Sequence, residues 1–347
     1  MVADQSMYFS DFCVPDRMAY LGHIANMEVK MKLEEIKKLA DGIKSNISKV
    51  LVGREDTTEM VLISLLCAGH VLLEDVPGVG KTMLAKCLSK SIDCDFKRIQ
   101  FTPDLLPSDI TGINYFDQKR GDFIFRPGPL FSNIVLADEI NRATPRTQSS
   151  LLECMEEGQV TVDGDTRRLN TPFFVIATQN PVETRGTFPL PEAQLDRFFM
   201  RLRMGYPSEQ EGRMILQRFR NSDPSAALRT VAAGSEVTDA QASFSAVKVS
   251  DVVERYILSI VEATRHDEKI SLGVSPRGCI ALMKAAQVNA VLSSRDFVLP
   301  DDVKRVAVPV LAHRLILKGH AIVSGTENAE NAVREILKRI TVPTEEY

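Results

Sequence analysis

The loop between residues 75 and 82 constrains the fold of this chain more than any other feature. An apolar run, Val71–Leu73, leads through it into a stretch with helical spacing, which Lys81 and Thr82 begin. A glycine-rich loop can turn successive backbone N–H groups toward a phosphate, and the helix N-terminus adds the positive end of its dipole. A lysine ammonium at this position can bind the β- and γ-phosphates of ATP, and a threonine hydroxyl can bind Mg²⁺. The predicted nucleotide-binding residues are Pro77, Gly78, Val79, Gly80, Lys81, Thr82 and Met83.

One position departs from the G-x-x-x-x-G-K-[ST] pattern that is usual in such loops. Asp75 stands where the first glycine would fall. Its carboxylate would repel a triphosphate unless the side chain points away from the loop at the end of the strand. The alternative to a phosphate site, a glycine-rich turn that only caps a helix, explains fewer features of this segment.

Five short apolar runs alternate with helical stretches between residues 71 and 202. They are Val71–Leu73, Phe96–Phe101, Ile134–Ala137, Phe173–Thr178 and Phe198–Leu202. This alternation predicts an α/β fold with a five-stranded, mostly parallel sheet and helices on both faces. A chain of 347 residues also has room for a second, smaller domain.

The strand signals cease after residue 206, and a smaller all-helical lid domain is predicted from there. Helices are expected to begin at Ser208, Ser250 and Ser275, which are good N-cap residues. The polar, weakly periodic stretch Asn221–Val249 is predicted to be a long loop. The predicted parts are an N-terminal extension 1–29, an α/β nucleotide-binding core 30–206 and a helical lid 207–347.

Two adjacent acids, Asp138 and Glu139, follow the third apolar run. The carboxyl ends of strands are where open parallel sheets bind their ligands. Asp138 would hold Mg²⁺ through its water shell, and Glu139 would act as the base for the attacking water. The structural alternative is a solvated acidic turn at the start of the next helix, because acids favour helix N-termini.

Asn180 follows the fourth apolar run, within the sequence TQNP, and should emerge beside the two acids. Its amide could orient the lytic water or contact the γ-phosphate. The alternative is an ordinary Asn-Pro turn.

Arg197 and Arg277 are the candidates for charge compensation. Arg197 precedes the fifth apolar run, and a guanidinium there could neutralise the charge on the transferred phosphoryl group. Arg201 and Arg203 are the reserve candidates. Arg277 lies in the first turn of a predicted helix, where the dipole disfavours a cation and a bound phosphate would remove that penalty. A surface ion pair is the alternative reading for both Arg197 and Arg277.

Charge and hydropathy exclude two classes of partner. The net charge of −4 and the pI of 5.9 provide no broad basic face, so nucleic acid is not an expected partner. No stretch approaches the roughly 18 apolar residues that a membrane span needs, and no basic segment followed by an apolar one opens the chain. We therefore expect a cytoplasmic protein without a membrane span.

Several longer segments resemble the MoxR family of AAA+ ATPases, within the group that carries an insert in its second helix. The most specific segments are FTPDLLPSDITG at 101–112, GPLF at 128–131 and ADEINRA at 137–143. Further similar segments lie at 148–157, 177–181, 192–198 and 275–277. The resemblance covers most of the chain after residue 40.

The resemblance implies an AAA+ P-loop NTPase core that hydrolyses ATP with Mg²⁺ in a homo-hexameric ring. Its implied roles are Walker A for Lys81 and Thr82, Walker B for Asp138 and Glu139, sensor 1 for Asn180, the arginine finger acting on a neighbouring subunit for Arg197, and sensor 2 for Arg277. Hairpin insertions would fall near Gly112–Arg126 and Val160–Asn170, facing the pore or a partner. Similar proteins act as chaperones that mature or activate protein complexes, including metal-cofactor insertion, commonly with a von Willebrand factor A-domain partner. The sequence does not name the client protein.

Two other functions are compatible with the same core. One is a nucleotide-gated scaffold with little turnover, which Asp75 and the need for an arginine from another chain would explain. The other is the motor subunit of a chelatase. The family-like segments favour a MoxR-type protein over a chelatase subunit.

Overall fold

A five-stranded parallel sheet forms the centre of this computed structural model. The structure describes residues 30–181, 186–220, 223–318 and 326–343, so the predicted extension 1–29 lies outside the described residues. The strands lie in the order β2-β5-β8-β1-β9, and every neighbouring pair is parallel. Their bounds are Val71–Glu74 for β1, Phe96–Gln100 for β2, Ile134–Asp138 for β5, Phe174–Gln179 for β8 and Met200–Leu202 for β9. The five apolar runs therefore predict the sheet correctly.

The three central strands are buried on both faces because their sequences are almost entirely aliphatic. Alternate side chains point to opposite faces of a strand. In β5, Ile134 and Leu136 accordingly pack into one hydrophobic core, whereas Val135 and Ala137 pack into a second core on the other face. Buried strands of this kind require helices on both sides of the sheet.

Helices cover both faces and continue beyond the sheet. Their bounds are Leu33–Ser48 for α1, Glu55–Leu66 for α2, Lys81–Ser91 for α3, Pro107–Thr111 for α4, Pro145–Glu157 for α5, Glu192–Leu195 for α6, Glu209–Phe219 for α7, Gly234–Ser243 for α8, Asp251–His266 for α9, Pro276–Leu292 for α10, Pro300–Leu311 for α11 and Thr326–Arg339 for α12. Ser208, Ser250 and Ser275 are the N-caps of α7, α9 and α10, as predicted. No helix of the described residues is long and apolar enough to cross a membrane.

The prediction of a long loop over Asn221–Val249 is wrong for most of that segment. Its described part, from residue 223, contains α8 and two short 3₁₀ turns. Helix α8 packs against α1 and α2, with Val237 and Ala240 buried. Few large apolar residues mark this helix, and its stability comes from packing against the core rather than from its own periodicity.

The helical lid contains one element that the sequence pattern does not predict. Strands Ile270–Leu272 (β10) and Ile316–Leu317 (β11) form a short antiparallel pair between the lid helices. Helices α9 to α12, which contact one another, make up most of the lid. The short pair connects the end of α9 with the segment that follows α11.

Two β-hairpins project from the core at the positions that the resemblance implies. The first joins Gly112–Asp117 (β3) to Asp122–Pro127 (β4), and the second joins Gln159–Val162 (β6) to Asp165–Arg168 (β7). They contact each other, because the Arg167 guanidinium lies 4.2 Å from the centre of the Phe125 ring. The base of the first hairpin is closely packed, since a Cβ at Gly112 would lie 2.4 Å from the Arg126 carbonyl oxygen.

Candidate nucleotide site

The loop between β1 and α3 has the backbone shape of a phosphate cradle. Gly78 has a φ of +86° and Gly80 a φ of +104°, which are conformations that residues with a side chain rarely adopt. Gly80 is the N-cap of α3, and Lys81 and Thr82 form its first turn. The N-terminal N–H groups and dipole of α3 therefore face the loop, as anion binding requires.

The predicted phosphate-binding lysine lies among carboxylates. The Lys81 ammonium donates a hydrogen bond to the backbone oxygen of Asp75 at 2.8 Å. Burial lowers the pKa of Lys81, and the carboxylates of Asp138, Asp75 and Glu139 act against this shift by favouring the charged ammonium. The charges of the predicted acids therefore act on Lys81.

The Asp75 side chain points away from the loop. Its carboxylate is buried and accepts hydrogen bonds from the backbone N–H groups of Met204 and Gly205, the second at 2.9 Å. These two residues follow the end of β9, so Asp75 connects that strand end to the end of β1. Because the carboxylate points away from the loop, it is oriented so that it would not repel a bound triphosphate.

Asp138 ends β5 and is held by two partners that the sequence reading omits. One carboxylate oxygen accepts a hydrogen bond from the Thr178 hydroxyl at 2.5 Å, and the other accepts from Arg98 at 2.6 and 3.0 Å. Mg²⁺ prefers oxygen ligands, and the Asp138 carboxylate and the Thr82 hydroxyl are oxygen donors of the kind that would suit this ion.

Glu139 follows Asp138 with a left-handed backbone, at a φ of +58°. Its backbone N–H donates to the Thr178 hydroxyl at 2.9 Å, so one threonine fixes both acids. The Glu139 carboxylate accepts a hydrogen bond from Gln100 at 2.6 Å and lies 3.2 Å from the Arg142 guanidinium. These contacts direct the carboxylate toward the β2 side of the site.

Asn180 lies at the same edge of the sheet. It follows β8, whose last residue, Gln179, accepts a hydrogen bond from the Asp75 N–H at 3.1 Å. Its side chain is buried, and β8 lies between β5 and β1. The carboxyl edge of the sheet therefore brings together the predicted Walker A, Walker B and sensor 1 residues.

Arg197 lies at the opposite edge. It precedes β9, and the neighbouring Phe199 N–H donates to the backbone oxygen of His70, just before β1, at 2.8 Å. The four residues of β1 separate this edge from the phosphate loop, a length of about 13 Å at ~3.3 Å per residue. Arg197 therefore cannot reach a phosphate held by Lys81 of the same chain.

Arg277 lies with Arg197 rather than with Lys81. Both guanidinium groups form ion pairs with the Glu156 carboxylate, that of Arg197 at 3.3 Å. The three side chains line an open depression of about 340 Å³. Of the reserve candidates, Arg203 pairs with Glu74 at the carboxyl edge, and Arg201 lies in the middle of β9, opposite Leu72 of β1.

Some residues that contact the predicted site residues are themselves not predicted from the sequence. Arg98 and Gln100 alternate along β2 and contact the two acids, a period-two pattern that is visible in the sequence. Glu156 gives no such local indication, because it meets Arg277 from 121 residues away.

A phosphate-type loop on a five-stranded parallel sheet, followed by a helical lid, defines this chain as a protein of the P-loop class. Residues 70–200 match the ATPase family associated with various cellular activities (AAA), and residues 262–336 match the AAA lid domain. A crystal structure of a protein from Cytophaga hutchinsonii, proposed to be an ATPase, is similar with a TM-score of 0.83 and 37% identity over 94% of this chain and 99% of that one.

Curated relatives agree with these matches. Chaperone MoxR1 of Mycobacterium tuberculosis is 38% identical over 86% of this chain and 80% of its own length. Protein MoxR of Paracoccus denitrificans is 32% identical over 78% and 86%. YeaC of Bacillus subtilis, whose function is uncharacterised, is 53% identical over 90% and 97%. The chain belongs to the MoxR family of AAA+ ATPases.

We predict that Asp75→Ala lowers stability without tightening nucleotide binding. The substitution removes the acceptor of the buried Met204 N–H and the partly buried Gly205 N–H, which costs about 1–3 kcal/mol. Urea unfolding should report this loss, while the Kd for a fluorescent ATP analogue stays within about twofold of the parent value, a change of only ~0.4 kcal/mol. Asp104→Ala, at an exposed acid, is the control and should change neither quantity. Tighter binding with unchanged stability would show that Asp75 acts on the nucleotide.

Proposed function

We propose that this chain hydrolyses Mg-ATP in a homo-oligomeric ring, expected to be a hexamer, and uses the hydrolysis to remodel partner protein complexes. The observation that carries the proposal is the position of the charged residues. Lys81, Asp138 and Glu139 lie at one edge of the sheet, and Arg197 and Arg277 lie at the other. Two copies arranged head to tail would bring opposite edges together.

Each residue at the carboxyl edge has a role in this reaction. The loop N–H groups and Lys81 would bind the phosphates, and Thr82 and Asp138 would hold Mg²⁺. The bound ion would neutralise charge on the β- and γ-phosphate oxygens. Glu139, oriented by Gln100, would accept the proton of the attacking water. Asn180 would orient that water.

The arginines at the amino edge would serve the nucleotide of a neighbouring subunit. A ring built from heterologous interfaces places one edge of each subunit against the other edge of the next. Glu156 would release Arg197 and Arg277 as the neighbour's phosphates replace its carboxylate. Arg277, read from the sequence as a nucleotide-binding lid residue, is on this proposal supplied in trans.

We predict that Glu139→Gln and Lys81→Ala separate hydrolysis from binding. Glu139→Gln should bind ATP normally and lower kcat by about 10²–10⁴-fold, the usual contribution of a general base. Lys81→Ala should weaken ATP binding itself, because it removes the phosphate cation. Steady-state phosphate release and equilibrium binding of a fluorescent ATP analogue measure the two effects. If the assembled parent protein hydrolyses ATP no faster than either variant, a nucleotide-gated scaffold with little turnover becomes the better interpretation.

We predict that mixing Arg197→Ala with Lys81→Ala chains restores activity. In a ring of one variant alone, every interface lacks either Arg197 or Lys81. In a randomly mixed ring about a quarter of the interfaces combine an intact phosphate loop with an intact arginine. The ATPase rate of the mixture, compared with each variant alone, measures this recovery. No recovery in rings of confirmed size would argue against action in trans.

The proposed contact with a client is the exposed tip of the first hairpin. Phe116 and Phe123 face each other across it with ring centres 5.4 Å apart, and they are 53% and 68% exposed. Exposed apolar clusters of this kind commonly mark contact sites for other proteins. A partner with a von Willebrand factor A domain, and metal-cofactor insertion as the process, are proposed on the family resemblance alone.

We predict that replacing both tip residues, Phe116→Ser and Phe123→Ser, uncouples client binding from ATP hydrolysis. In a Glu139→Gln background held with ATP, the tip substitutions should abolish co-purification of client proteins with the chain. Without Glu139→Gln, the tip variant should keep the parent ATPase rate. Leu216→Ser, at a 75% exposed leucine on α7, is the matched control. The same proteins retained by the tip variant would place the client contact elsewhere.

A further inference from the structure

Arg314, a lid residue outside the predicted site, is a buried cation with several hydrogen bonds at the amino edge of the sheet. It is 7% exposed and lies at the end of the 3₁₀ turn that follows α11. Its Nε donates to the Asp196 carboxylate at 2.7 Å, and its Nη2 donates to the backbone oxygen of Phe198 at 2.8 Å. A further bond reaches the Phe199 backbone oxygen at 3.3 Å. These partners are the residues on either side of Arg197.

The Asp196 carboxylate also contacts the start of α10, the helix that carries Arg277. The Ser275 hydroxyl, which caps α10, donates to the second Asp196 oxygen at 3.2 Å. Gly278 lies directly against Arg314, since a Cβ there would be 2.8 Å from the Arg314 Cδ. Asp196 and Arg314 thus form one polar joint between the lid and the segment that holds Arg197.

We propose that Arg314 is the positioning residue of Arg197: the lid guanidinium holds the backbone on both sides of Arg197 and so determines where each subunit presents this cation to its neighbour. The inference rests on the proposed action of Arg197 in trans. Burial lowers the pKa of Arg314 to about 10, and Asp196 opposes the shift, so the guanidinium is charged at neutral pH. A charged group with backbone carbonyl acceptors gives stronger bonds than a neutral one.

The role predicts a specific kinetic defect. Arg314→Gln should lower kcat, by about 10²-fold if Arg197 moves by an ångström or so, and should leave the Kd for a fluorescent ATP analogue unchanged. Arg314→Lys keeps the charge but cannot reach the same set of acceptors, so it should be intermediate. Arg295→Gln is the matched control, because Arg295 also forms a buried lid ion pair, with Asp302 at 2.6 Å. Asp302 lies in the first turn of α11, so nine further residues of that helix, Val303–Leu311, separate it from the turn that carries Arg314, a distance of ~14 Å.

Mixed rings distinguish positioning of Arg197 from general support of the fold. Arg314→Gln chains have an intact phosphate loop, so mixing them with Lys81→Ala chains should restore activity to the level of the Arg197→Ala and Lys81→Ala mixture. Mixing them with Arg197→Ala chains should restore none, because both partners would lack a placed arginine. Arg295→Gln should behave as the parent chain does in both mixtures.

Four results would overturn the assignment. Recovery with Arg197→Ala would place the defect in the variant's own nucleotide site, and parental kcat would show that Arg314 is dispensable. Failure of both Arg314→Gln and Arg314→Lys to recover with Lys81→Ala would mark Arg314 as a general structural residue. If the Arg197→Ala and Lys81→Ala mixture itself stays inactive, action in trans fails and this inference fails with it. If that mixture recovers, only the role of Arg314 is in question.

Discussion

The direction of the strands determines what one copy of this chain can do alone. All five strands are parallel, so their carboxyl ends share one edge and their amino ends share the other. The phosphate loop and the acids follow strands, whereas Arg197 precedes one. No side-chain rotation spans the length of a strand, which is about 13 Å for β1 at ~3.3 Å per residue. On the proposed function, a single chain would therefore carry two halves of different active sites rather than one whole site.

The ion pairs at the amino edge follow from this separation. Two guanidinium groups close together repel each other, and the Glu156 carboxylate between them offsets the repulsion within one chain. Glu156 lies at the end of α5, and the same helix begins just after the acids of β5. One helix thus connects the acids at the carboxyl edge with the cations at the amino edge.

The sequence predicts the sheet and its carboxyl edge well because both depend on local pattern. Uninterrupted aliphatic runs indicate buried parallel strands, and the residue after such a run must lie at the carboxyl edge. Helix α8 was missed because Val237 and Ala240 provide too little periodicity, and its burial against the core is what stabilises it. The sequence leaves the orientation of Asp75 open, since its backbone partners lie 129 and 130 residues away. The contacts of Arg314 with Asp196 and of Glu156 with Arg277 span 118 and 121 residues, so no local pattern reports them.

The lid contacts both edges of the sheet, which makes it the part suited to connect them. At the carboxyl edge, Glu330 of α12 lies 4.0 Å from the Arg203 guanidinium, which also pairs with Glu74 at the end of β1. At the amino edge, Arg314 joins Asp196 beside Arg197. Helix α12 packs against α11 and against the turn that carries Arg314. Because packed helices move as units rather than deforming continuously, α12 and the turn beside it form one connected path between Arg203 at the carboxyl edge and Arg314 at the amino edge.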